Sequence, residues 1–130
     1  MHRTSLKRRQ AFTLVEIMII VALIGLLAAL AVPTFIKARK QSQGKRIVND
    51  ARIIDAAIDS WAFEKGKQDG DPIVAADLTA IGQYTKAGTI NTSDILGNPY
   101  TIGPVGAGQV LIAPETKVAL AAVAIDWGAY

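Results

Sequence analysis

An α+β fold built on one dominant N-terminal helix is predicted by three features of the sequence. The tract from Phe12 to Ile36 is apolar on nearly every face, and the charged stretch from Lys37 to Lys65 carries apolar residues at helical spacing. The remainder, residues 66–130, consists of short runs punctuated by Gly and Pro. An amphipathic helix must bury its stripe against something, so the second and third features predict a helix packed on a small head with a short antiparallel sheet and short helices.

The apolar tract comes first. Ile17 to Val32 contains no polar side chain. At 1.5 Å per residue that run covers roughly 24 Å, and Phe12 to Ile36 covers roughly 37 Å, enough for a hydrocarbon core about 30 Å thick. A buried core helix is the soluble alternative. The chain has 130 residues and 13.8 kDa, which is one small domain and too little protein to wrap such a helix. Its 51% hydrophobic content and mean hydropathy of +0.30 are concentrated in this tract. A secretory signal peptide is the other alternative, since a basic segment precedes the tract. The tract is long for that role, and Ala29 to Ala31 runs directly towards Pro33.

From Ile47 the pattern becomes amphipathic. Ile47, Ala51, Ile54, Ile58 and Trp61 recur at steps of four, three, four and three, which sets them on one face. Asp50, Arg52, Asp55 and Asp59 fall largely off it, with Arg46–Asp50 and Arg52–Asp55 as expected surface pairs. The helix should stop near Lys65, because Gly66 suits the position after a helix end and Asp71-Pro72 opposes helix.

In the head, residues 75–84 predict a short helix and residues 89–92 an extended segment. Residues 98–102 followed by Gly103-Pro104 predict a strand and turn, with residues 109–112 as the hairpin partner. Pro114-Glu115 opens an Ala- and Leu-rich run that suits a helix. The alternation of Val118, Leu120, Ala122 and Ala124 would also suit a strand.

Charge removes several function classes. The net charge is +3, but Arg3, Lys7, Arg8 and Arg9 all precede Phe12 and all 11 acidic residues follow it. Removing those four positives from +3 leaves −1, so the body of the chain is not a basic nucleic-acid surface. Lys37, Arg39, Lys40, Lys45 and Arg46 form a basic collar just after the tract, read as a solvated helix flank. There is no cysteine, and the single histidine is His2, so neither Cys-His nor Ser-His catalysis is available beyond the leader. Trp61, Phe63, Tyr84, Tyr100, Trp127 and Tyr130 are scattered, as packing anchors rather than a stacking track.

One residue breaks the tract. Glu16 sits inside it, where an ionised carboxylate costs on the order of 2.5–3.5 kcal/mol on insertion scales. Nothing basic lies at helical spacing within the tract to pair with it. A cut before Phe12 would create an α-amine, positive near neutral pH, at a similar depth. Glu16 of one copy could then accept that amine from the next. Snorkelling to the headgroups, or staying protonated, is the alternative.

These residues resemble a family. The order of basic leader, small residue, Phe12-Thr13-Leu14-Val15-Glu16 and apolar helix is similar to the N-terminal signal of type IV prepilins and type II secretion pseudopilins. The resemblance implies a type IV pilin-like fold and a division into a cleaved leader (1–11), a transmembrane or filament-core helix (12–36), its amphipathic continuation (37–65) and a small globular head (66–130). It implies cleavage between Ala11 and Phe12 by prepilin peptidase, with methylation of the Phe12 amine. Ala11 stands where the family usually has Gly. Glu16 is implied in methylation and in entry to the filament, and Gly25 and Pro33 mark the stretch where the helix loosens. Pro33 has no N–H for the Ala29 carbonyl, so a kink is expected there on physical grounds too.

The expected function is therefore a non-enzymatic structural subunit of a pilus or pseudopilus. The implied partners are further copies in a helical filament, prepilin peptidase, membrane lipid, an inner-membrane assembly platform and an assembly ATPase. Before assembly the leader is expected in the cytoplasm and the head outside it. A single-pass anchored binding or enzymatic domain is the alternative. Asp94-Ile-Leu-Gly-Asn-Pro-Tyr100 is similar to a turn of the major pseudopilins, and as a Gly-Asn-Pro turn with a packed tyrosine it needs no function. No cofactor is expected. For calcium, Asp69, Asp71, Asp94 and Asn98 offer oxygens without EF-hand spacing, and Asp94 and Asn98 are the candidates.

Overall fold

The computed structural model describes residues 11–130, so the expected leader, with its four basic residues, lies outside the described residues except for Ala11. The elements are α1 (Leu14–Lys65), α2 (Asp77–Gly82), β1 (Thr101–Ile102), β2 (Val110–Leu111) and α3 (Pro114–Ala119). The described residues fall into two compact units that part after Ile36.

The first unit holds the apolar portion of α1. Its large side chains from Phe12 to Ile36 are exposed, at 44–80%. The α-helix is uninterrupted at Gly25 and Pro33. Next to Pro33, the Thr34 hydroxyl donates to the Leu30 carbonyl at 3.3 Å. By length and composition the tract is able to cross a membrane.

The second unit, Lys37–Tyr130, holds the core. The stripe predicted from spacing is buried along its length: Ile47, Ala51 and Ile58 are fully enclosed and Ile54 and Trp61 nearly so. They pack with Ile81, Tyr100, Val105, Val110, Ile112 and Leu120 from the head. The helix ends as its sequence predicts. Gly66 takes a left-handed φ of 64°, its N–H donates to the Phe63 carbonyl at 3.3 Å, and Lys67 N–H reaches the Ala62 carbonyl at 2.8 Å. Those two bonds satisfy the last orphan carbonyls in a Schellman arrangement. The Lys67 ammonium then lies 5.6 Å from the centre of the Trp61 ring.

The head departs from expectation in three places and resolves a fourth. The helix expected over 75–84 is regular only over Asp77–Gly82, with single turns at either side. Residues 89–92 form no strand; the Thr85 hydroxyl oxygen lies 2.8 Å from both the Gly82 and the Thr89 carbonyl, able to donate to either. The hairpin forms with Thr101 opposite Leu111 and Ile102 opposite Val110, but each strand is two residues long. Asn98 to Tyr100 turn to a different partner: Pro99 bridges Ser93 antiparallel, with Asp94 N–H donating to the Asn98 carbonyl at 2.8 Å and Tyr100 N–H to the Thr92 carbonyl at 2.9 Å. Finally, the ambiguous run after Pro114 is helical to Ala119. Thr116 and Leu120 are buried while Val118 between them is 74% exposed. A strand would have put all three on one face; a helix puts only the first and last together.

Of the two expected surface pairs, Arg46–Asp50 forms at 4.0 Å. Arg52–Asp55 does not; the Tyr130 hydroxyl donates to the Asp55 carboxylate at 3.3 Å.

Candidate processing and assembly site

The candidate site is the entry to α1. Ala11, Phe12 and Thr13 precede the helix and are exposed, Phe12 at 75%. Thr13 caps the helix. Its carbonyl accepts the Ile17 N–H at 3.3 Å and its hydroxyl oxygen accepts the Glu16 N–H at 3.3 Å. Thr-x-x-Glu is the spacing of a capping box, a signal present in the sequence that reading it for charge alone passes over. It fixes what each residue presents. The Ala11–Phe12 peptide bond stands in accessible, non-helical chain, the form a peptidase can engage. Glu16 sits in the first turn, where the partial positive charge of free N–H groups favours a carboxylate. A positive amine at Phe12 would add to the positive charge at that same end of the helix, which a carboxylate offsets. Gly25 is three turns further on, and a side chain there would meet nothing within 4 Å.

Asp94 and Asn98 are brought together elsewhere, in the second unit. Asp94 is 7% exposed, and one of its oxygens accepts the Leu96 and Asn98 N–H groups at 2.8 and 3.0 Å. Its other oxygen accepts the hydroxyl of Thr116, and the Asn98 amide donates to that same hydroxyl oxygen at 2.9 Å. Gly97, at φ 90°, closes the turn through a 3.0 Å bond to the Asp94 carbonyl. Both Asp94 oxygens are thus engaged by protein donors. Asp71 takes the Gln68 N–H at 2.9 Å, and among the described residues no three acids or histidines converge as a metal set. Thr116 is the member that sequence alone does not indicate.

Tyr100 completes this region. Its ring is buried and its hydroxyl donates to the Ile47 carbonyl at 3.4 Å, tying the turn to α1. Burial, with Asp50 and Asp94 nearby and only Arg46 opposing, pushes its hydroxyl up to about 12. In the basic collar, Lys40 donates to the Ala119 carbonyl at 3.2 Å, while Lys37, Arg39 and Lys45 are exposed.

An apolar helix with a lone acid in its capped first turn, preceded by an accessible peptide bond, defines a class of chain. Residues 6–32 match the family described as the prokaryotic N-terminal methylation motif. More particularly, the chain is similar to type IV pilins and to core protein G of type II secretion systems. It is 31% identical to fimbrial protein Q of Moraxella bovis over 73% of this chain and 64% of that protein. It is 40% identical to the type IV major pilin protein PilA of Myxococcus xanthus over 46% of this chain and 27% of that protein. It is 27% identical to type II secretion system core protein G of Escherichia coli over 93% of this chain and 92% of that protein. The chain therefore spans less than two thirds of the two pilins just named. No solved structure gives a significant match.

Proposed function

We propose that this chain is a filament subunit of a type IV pilus or type II secretion pseudopilus. Prepilin peptidase cuts between Ala11 and Phe12 and the new Phe12 amine is methylated. The apolar part of α1 first holds the subunit in the membrane, with the leader cytoplasmic and the head on the far side. It then becomes the filament core, drawn out by an assembly ATPase through an inner-membrane platform. Transfer from lipid to packed helices keeps the tract's side chains away from water, and the contact between Glu16 and a neighbour's Phe12 amine replaces an unpaired charge. Gly25 and Pro33 bracket the stretch able to loosen as packing tightens.

The single observation carrying this reading is the methylation motif laid over a fully exposed apolar helix whose one acid sits in the first turn. Within it, a relative matched over 92% of its length and the Asp94–Tyr100 turn favour the pseudopilus. Mass spectrometry of the N-terminus in the native host is the test. The reading expects a mature chain that begins at methylated Phe12. An intact Met1, or a cut after Ala31, would refute it and favour a simple anchored domain.

A further inference from the structure

Two surface features of the second unit serve no purpose within one copy. Phe63 is 92% exposed, although its neighbours Trp61 and Ala62 are buried. Separately, a hollow of about 200 Å³ opens between α1 and the 85–91 loop. Asp50, Ile53, Ile54, Lys86, Thr89 and Ile90 line it, and Ile53 is 47% exposed.

The two cannot meet in one molecule. Phe63 lies nine to thirteen residues beyond Ile54, Ile53 and Asp50, which is roughly 80–180° around the helix and about 14–20 Å along it. A second copy, shifted along the helix direction and turned about it, can bring its Phe63 to the hollow. A knob and a hole on different faces make a head-to-tail contact. Such contacts leave both features free at the ends and propagate into open helical assemblies.

Charge selects the occupant. Phe63 borders a shallow surface with Asp59, Ser60 and Glu64. Asp59 accepts the Gln109 amide at 2.8 Å, and Glu64 accepts the Tyr84 hydroxyl and has Lys65 at 4.0 Å, so the aromatic is flanked by two acids that each keep an intrachain partner. At the hollow, Asp50 has Arg46 at 4.0 Å. Lys86 is exposed and, among the described residues, has no carboxylate within ion-pair distance. An acid-flanked aromatic suits a hollow with a lysine at its mouth and suits an anionic lipid surface poorly.

We infer that Phe63 of one subunit seats in the Ile53–Ile90 hollow of the next, with Lys86 facing the neighbour's Asp59 and Glu64, as a head-to-tail contact of the filament. This rests on the filament reading and specifies one of its interfaces.

The chain has no cysteine, so paired cysteines report the contact without background. In the native host, a Phe63→Cys/Ala87→Cys double variant should give, on oxidation, a ladder of dimers, trimers and longer species, while each single variant gives no ladder beyond a dimer. Both sites are exposed, so the head should fold as before. As a second measurement, Phe63→Glu should be cut at Phe12 and keep the parent's melting curve, yet lose most of its filaments. Glu64→Lys combined with Lys86→Glu should keep more filaments than either single reversal. Filaments of normal yield in Phe63→Glu, no ladder from the double variant, or cross-links to a different polypeptide would overturn the inference while leaving the filament reading intact. A parent chain that is never cut at Phe12 and never polymerises would sink both.

Discussion

The two portions of α1 make an instructive contrast. From Leu14 to Ile36 the helix exposes every large apolar side chain it has; from Ile47 to Trp61 it hides all of them but Ile53. Secondary structure is the same, so backbone hydrogen bonding cannot account for the difference. The distinction is distribution. In the later portion the apolar residues form a stripe that 65 head residues can cover, with charges relegated to the other faces. In the earlier portion they surround the helix, and no single head could enclose them. One portion finds its apolar surroundings within its own chain, and the other must find them in lipid or in further copies.

Substitutions in the two portions should behave accordingly. Ile58→Ala removes a fully buried side chain and should cost the head about 2–5 kcal/mol in denaturant unfolding. Leu27→Ala, at a 66% exposed position, should leave the same transition within about 0.5 kcal/mol. Equal losses from both would break the contrast.

A smaller effect is expected where the head is pinned by polar groups. Thr116→Val keeps the side chain's shape but strips one Asp94 oxygen of its donor and leaves the Asn98 amide unpaired. A loss of about 1–3 kcal/mol is expected by chemical denaturation. An unchanged midpoint would mean that the turn does not depend on this network.

The smallest effect is one of pH. The folded Tyr100 hydroxyl is raised to about 12 from an ordinary value of 10.0. Above pH 10 the unfolded chain gives up this proton while the folded chain keeps it, so stability falls as pH rises. Its contribution is complete below pH 10 and is lost as pH approaches about 12. Tyr100→Phe should flatten that part of the alkaline profile; an identical slope in both proteins would remove Tyr100 as the cause.

Much of this was legible in the sequence because it depends on local period and local chemistry. The Ile47–Trp61 stripe, the stop at Gly66 and the turn around Asp94 each need only near neighbours. What was not legible depends on distant partners. Thr116 lies 22 residues from Asp94, and nothing in an Ala-rich run marks one threonine as its donor. Nor does anything near Asp55 mark Tyr130, 75 residues away, as the hydroxyl that donates to its carboxylate. Strand length was misread for a different reason: residues 98–100 pair with 92–94 through the Ser93–Pro99 bridge, so only Thr101 and Ile102 of the expected run pair with the second strand. At the entry to α1, Glu16 was found by its charge, while the Thr13 cap that fixes its place was visible only as a spacing.

Replacing Glu16 by Gln tests the central claim most directly, since it removes the charge and keeps the shape. With N-terminal mass and filament yield followed together, the variant should still enter the membrane and be cut before Phe12, with its head as stable as the parent's, yet assemble few or no filaments. Filaments of normal number and length from Glu16→Gln would contradict the claim that an acid in the first turn of α1 joins one copy to the next.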